Sequence, residues 1–161
     1  MKTLVVFYSR TGCTQTVCRD VGRLLGADLE ELRETVDRSG AGGYLRAGGD
    51  AMFKRTVELQ PTAYRPEAYD GAILATPVWA FTVCPAIRTW LLREAANLKK
   101  IAFICTQGGS GAERAQAEMA SLAGREPVAR LVLKDRDIRA GACAGAIAAF
   151  AEACRGRLAP G

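Results

Sequence analysis

The sequence predicts an α/β fold: a doubly wound, five-stranded parallel sheet with helices on both faces. Three observations carry this reading. Short apolar runs alternate with helical patterns along the chain. The first run, Leu4-Val5-Val6-Phe7-Tyr8, is apolar throughout, as a strand is when both faces of its sheet are covered. Small-residue and hydroxyl-rich loops follow three of the runs, at 9–14, 76–82 and 106–111.

Lys2 to Tyr8 forms the first strand, and Gln15 to Gly26 the first helix. Val17, Val21, Leu24 and Leu25 share one face of that helix, and Gly26 stops it. Residues 28–33 are short and polar, which suits an edge strand. Residues 36–56 are glycine-dense around Tyr44 and Arg46. They are read either as a surface loop or as an excursion covering a ligand. Gly71–Ala75 is a buried strand, and 76–82 is a loop. Pro85 opens a helix to about Asn97, with Ile87, Trp90 and Leu91 inward. Lys100–Cys105 is the next strand. The helix after loop 106–111 carries Ala115, Met119 and Leu122. Val128–Lys134 is the last strand and Gly141–Arg155 the closing helix. Its small residues Ala144, Gly145 and Ala148 are expected to pack closely on the sheet.

The 161 residues fit a single domain spanning 1–161. No apolar run approaches membrane-spanning length. Ser9-Arg10 cuts the first run too short for a secretory signal, so a cytoplasmic location is expected. The net charge is +5, from 22 basic and 17 acidic residues. The basic residues are scattered without interleaved aromatics, which argues against nucleic acid as a partner. The six cysteines form no CxxC pair and no metal-ligand spacing. Cys105, Cys143 and Cys154 read as small buried hydrophobes, and free thiols fit a reducing compartment. There is no histidine. Imidazole-based triads and His-ligated metals are therefore excluded, and a bound cofactor is the natural carrier of any chemistry.

In a parallel α/β sheet the loops after the strands lie on one edge, where ligands bind. Ser9-Arg10-Thr11-Gly12-Cys13-Thr14 joins a strand to a helix. Helix-start N–H groups, hydroxyl donors and Gly12 at the tight turn favour a phosphate there. The alternative is a helix merely capped by Thr11 or Thr14. No Gly-Lys-Ser/Thr ending makes it a Walker loop, and 108–111 lacks the full dinucleotide fingerprint. Pro77, Val78, Trp79, Ala80, Phe81 and Thr82 place two aromatics beside a strand end, where a ring can stack on a flat heterocycle. Packing is the alternative role for Trp79. Thr106, Gln107, Gly108, Gly109 and Gly111 offer bare backbone N–H groups beside developing negative charge. Together the three loops describe a site for a phosphorylated planar cofactor such as FMN.

Ser9-x-Thr11-Gly12-x-Thr14 resembles the phosphate loop of the flavodoxin family. The run from Tyr69-Asp70-Gly71 to Thr76-Pro77-Val78-Trp79 resembles the third strand and second flavin loop of flavodoxin-like oxidoreductases. The resemblance implies strand order 2-1-3-4-5 and non-covalent FMN. Residues 9–14 would hold the phosphate, 77–82 would flank the ring, and 106–111 would face its pyrimidine side. Two departures bear on function. Carrier flavodoxins of this family are strongly acidic, whereas this chain is basic. Residues 78–81 also lack the glycine that lets a carrier's peptide adopt positive φ toward the reduced ring. A non-glycine residue there costs about 1 kcal/mol, which weakens stabilisation of the one-electron-reduced flavin. Two-electron chemistry is therefore expected, with NAD(P)H as donor and a quinone or similar small molecule as acceptor. The alternative is an electron carrier served by a protein redox partner.

Two rivals stand apart. Cys13 to Arg19 matches the Cys-x5-Arg spacing of low-molecular-weight cysteine phosphatases, but that cysteine should end the strand, four residues earlier. A response-regulator receiver needs acidic residues where Tyr8-Ser9 and Ala75-Thr76 stand. Cys13 could be an oxidation-sensitive thiol at a helix start; the expectation is that only its backbone matters.

Overall fold

The computed structural model describes residues 1–35 and 55–159. Its elements run β1 (Thr3–Phe7), α1 (Cys13–Leu25), β2 (Asp28–Glu31), β3 (Gly71–Trp79), β4 (Thr82–Val83) and α2 (Pro85–Glu94). They continue with β5 (Lys100–Gln107), α3 (Ala112–Ala123), β6 (Arg130–Lys134), α4 (Asp135–Arg139) and α5 (Ala144–Arg157). Five parallel strands lie in the order β2-β1-β3-β5-β6, and the two-residue β4 folds back antiparallel on the end of β3. Counting only the parallel strands, this is the expected 2-1-3-4-5 order, with β2 on an edge.

The alternation of strand side chains builds two cores from one sheet. Leu4, Val6, Leu74, Ile101 and Phe103 face α2 and α3, where Ile87, Trp90, Leu91, Ala115 and Met119 meet them. Val5, Phe7, Ile73, Ala75, Ala102 and Ile104 face the opposite way, onto Val17 and Val21 of α1 and Ile147, Phe150 and Cys154 of α5. All six cysteines are free and buried.

Several boundaries and faces differ from the expectations. The first helix starts at Cys13, two residues early, because Gly12 turns the chain at φ 93. Leu24 is exposed and does not join the inward face of α1. β5 runs on to Gln107, since β6 pairs with it as far as Gln107↔Lys134. The region 76–82 is no open loop: residues 76–79 extend β3, and Thr82–Val83 return as β4. The last strand begins at Arg130, and a short helix, α4, intervenes before α5. Ala144, Gly145 and Ala148 face solvent, and the sheet is met by the larger Ile147, Phe150 and Cys154. Burying large side chains removes more apolar area from water, so they take the inner face. The glycine-dense stretch, with Tyr44 and Arg46, lies outside the described residues but for its last two.

Candidate functional site

At the carboxyl ends of β1, β3 and β5 the chain leaves a cavity of about 350 Å³. All three loops singled out in the sequence contribute to its wall. Arg10, Thr11 and Thr14 come from the first, Pro77, Val78, Trp79 and Ala80 from the second, and Thr106, Gln107 and Gly108 from the third.

The first loop is self-supporting. Gly12 N donates to the Ser9 hydroxyl at 3.1 Å, which closes the turn. The first bond of α1 runs from Thr16 N to Gly12 O at 2.9 Å. The amides of Cys13, Thr14 and Gln15 therefore have no carbonyl within the helix, and Gly12 supplies no capping side chain. They form the positive end of the helix beside the cavity. Thr14 is buried, and its hydroxyl lies 2.8 Å from that of Thr106. That bond ties the first loop to the third. Neither Thr11 nor Thr14 caps the helix: the N-cap is Gly12, with no side-chain cap bond, and Thr14 bridges to β5.

The second loop is a tight hairpin. Val78 pairs with Val83 and Trp79 with Thr82, leaving Ala80 and Phe81 as a two-residue tip. Both tip residues have positive φ, 48 and 62, as a type I′ turn requires. Without glycine, positive φ was expected to be costly in this loop, and two non-glycine residues, Ala80 and Phe81, nonetheless hold it in this structure. The tight return of β4 forces the turn, and the surrounding packing offsets its strain. Trp79 is half-buried and stands edge-on to Tyr8, with centroids 5.5 Å apart at 89°. Its ring is thus both packed and part of the cavity wall. Thr76 braces the base of the hairpin: its buried hydroxyl accepts from Cys84 N at 3.1 Å and donates to Pro77 O at 2.8 Å.

In the third loop Gln107 uses its side-chain oxygen to accept from Ala112 N at 3.0 Å, capping α3. Gly111 has φ 107, and a Cβ there would lie 2.7 Å from Phe81 Cα. The second and third loops touch at this point, and only glycine allows it.

Seven residues expected at the site do not line the cavity: Ser9, Gly12, Cys13, Phe81, Thr82, Gly109 and Gly111. Ser9 and Gly12 shape the first turn. Cys13 is buried against the core formed with α5. Phe81 is 54% exposed at the hairpin tip, Thr82 turns beneath it toward Glu118, and Gly109 is exposed. Asp135, at the start of α4, was missed; it lines the cavity from the end of β6. The same strand-end rule that selected three loops applies to a fourth, after Lys134. Arg88 and Glu118 were also missed. They sit on α2 and α3, behind the hairpin, where no spacing in the chain connects them.

The phosphatase geometry is absent, because Cys13 to Arg19 lies within α1 and does not form a loop curled around an anion. Burial pushes the thiols of Cys84 and Cys105, in the core behind the cavity, up to about 11 and about 12. Both are therefore neutral thiols at ordinary pH.

Fold and site together define a doubly wound α/β protein with its cleft at the carboxyl ends of the strands. The chain belongs to the flavodoxin family, whose model matches residues 2–143. No curated protein matches the sequence closely. Among solved structures, a Lactobacillus acidophilus flavoprotein in complex with FMN is 19% identical, with a TM-score of 0.71 over 86% of this chain and 97% of its own. A Bacteroides uniformis chain provisionally described as a flavoprotein is 20% identical, with a TM-score of 0.78 over 94% and 97%. The two-electron-reduced flavodoxin of Megasphaera elsdenii is 16% identical, with a TM-score of 0.57 over 93% and 98%. At these identities the likeness is one of fold. Among the described residues, no helix is long and apolar enough to cross a membrane.

Proposed function

We propose that this protein binds FMN non-covalently and transfers electrons from NAD(P)H to a quinone or similar small acceptor. One observation carries the reading: three strand-end loops close a single cavity that has a helix start on one side and a half-buried tryptophan on another. The Lactobacillus acidophilus structure in complex with FMN supports the choice of cofactor.

The residues present fit the group. The Cys13, Thr14 and Gln15 amides would receive the phosphate at the positive end of α1, with Thr11 beside them. Asp135 and Thr106, in the cavity wall, would accept hydrogen bonds from polyol hydroxyls. Pro77 to Ala80 would flank the flat ring, with Trp79 as its aromatic wall. The cavity, about 350 Å³, lies within the range for small-molecule sites. When bound, the ring supplies the redox chemistry. The chain would orient that ring and would supply amides of the third loop beside its charge. Among the described residues, the third loop, Thr106 to Gly111, contributes no aromatic residue, which supports approach by a nicotinamide or quinone ring from that side.

Anaerobic addition of NADH and then NADPH to FMN-loaded protein tests the reading. Bleaching of the visible flavin band in one step is the expected result. Flavin that binds but is reduced by neither nucleotide would make the protein a carrier served by a protein reductase. Failure to bind FMN would overturn the cofactor assignment itself.

A further inference from the structure

Arg88 lies on α2 and is 3% exposed, in a place where a guanidinium is costly to bury. Its Nε donates to Glu118 Oε1 at 2.9 Å, and Nη2 lies 2.9 Å from the same oxygen. Nη2 also donates to the Thr82 hydroxyl at 3.2 Å and to the Val83 carbonyl at 3.1 Å. Nη1 reaches the Arg55 carbonyl at 3.3 Å. Thr82 in turn donates to Glu118 Oε2. One buried cation therefore gathers α2, α3 and β4, and two of its acceptors belong to the residues immediately after the hairpin tip.

That tip holds two non-glycine residues in the left-handed region. That region is strained for an L-residue with a side chain, and such strain persists only where neighbours over-determine the backbone. From one side the tip is held by the close approach of Phe81 to Gly111. From beneath it is held by Arg88, through Thr82 and Val83. A buried ion pair contributes little net stability compared with an apolar replacement of equal volume. Its consequence here is geometric: it fixes β4, and β4 fixes Trp79 through the Trp79↔Thr82 pairing.

We infer that Arg88, held by Glu118, is a positioning residue for the flavin ring, bracing the strained hairpin that places Trp79 and Ala80 in the cavity wall. The inference rests on the FMN reading. Neither residue touches the cavity. The brace acts on the ring side of the site and leaves the phosphate side, at the start of α1, untouched.

The test replaces both partners by apolar residues of similar size, Arg88→Met with Glu118→Leu, so that no buried charge is stranded. Binding of FMN and of riboflavin is followed by quenching of flavin fluorescence. Both flavins are expected to weaken by the same factor, tenfold or more, because only ring contacts are lost. The residual fluorescence of fully bound FMN should rise as Trp79 loosens, and the variant should still melt cooperatively, at a temperature lowered by the Thr82 and Val83 oxygens left without Arg88. Should the double variant not fold, Arg88→Lys keeps the charge but not the planar fork, and the same equal loss is expected of it. Unchanged affinity and unchanged quenching in a folded variant would overturn the inference. Loss confined to FMN, with riboflavin unaffected, would overturn it too, since the phosphate side would then be the part affected. Failure of the unmodified chain to bind FMN is a separate result, and it would remove the flavin reading first.

Discussion

Two glycines only two residues apart in the third loop are predicted to behave in opposite ways. Gly111→Ala must accept a Cβ 2.7 Å from Phe81 Cα at a φ of 107. Left-handed strain and overpacking together should cost about 3 kcal/mol in a urea melt. Gly109→Ala meets nothing within 4 Å and has no positive φ, so its effect should stay within about 0.5 kcal/mol. The Thr14–Thr106 hydroxyl pair makes a second prediction. Replacing either threonine by valine strands a buried hydroxyl and should cost about 1–3 kcal/mol. Replacing both should cost less than the sum, and additive losses would show that the bond does not join the loops. These pairings were not legible in the sequence. Thr14 and Thr106 stand 92 residues apart, and only the crossover geometry of the sheet brings them within 2.8 Å.

For an element, the hairpin between β3 and β4 gives the most direct test. Ala→Gly changes ordinarily weaken a protein, but at Ala80 glycine relieves a φ of 48. Ala80→Gly is therefore expected to be neutral or stabilising by up to about 1 kcal/mol. A loss of that size in the urea midpoint would show that the left-handed tip carries no strain. The start of α1 supplies the matching prediction for binding. If two of its amides hold the phosphate, with about 1.5 kcal/mol from each charge-assisted bond, FMN should bind roughly 100-fold tighter than riboflavin. Equal affinities for the two flavins would remove the phosphate from that position. Element types were readable because strand and helix periods differ, 2 against 3.6 residues. Their ends were less so. Pairing partners extended β5 to Gln107 and carried β3 to Trp79, and partners are not visible in one segment alone.

On the scale of the whole molecule, the buried thiols couple stability to alkaline pH. Burial pushes Cys84 up to about 11 and Cys105 and Cys154 up to about 12. Tyr69 is raised in the same direction by burial, then by the hydrogen bond its hydroxyl gives Asp28 at 2.7 Å. Below about pH 8.5 these thiols are protonated in folded and unfolded chains alike, so they add no pH dependence. Above that, the unfolded chain ionises while the folded one stays neutral. Stability then falls by up to about 1.4 kcal/mol per pH unit for each thiol until the folded values are passed. A urea midpoint that is level from pH 7 to about 8.5 and drops steeply by about pH 10.5 is expected. Cys154→Ala should make the drop shallower, and a midpoint indifferent to pH would contradict the burial of these thiols.

Sequence alone determined the α/β class, the strand order through its family resemblance, and the three loops that meet at one edge. Those features rest on local periodicity and on the handedness of strand–helix–strand crossovers, which a chain carries in its own pattern. Which side chains of those loops reach the cavity was decided only by tertiary structure. Asp135 entered because β6 pairs with β5 out to Lys134, which sets α4 at the same rim. Phe81 and Thr82 left because a two-residue return to β4 turns one outward and the other beneath the tip. The brace of Arg88 and Glu118 joins residues 30 positions apart, on two helices packed against the same face of the sheet. No local propensity encodes such a contact, because it exists only once the helices are side by side.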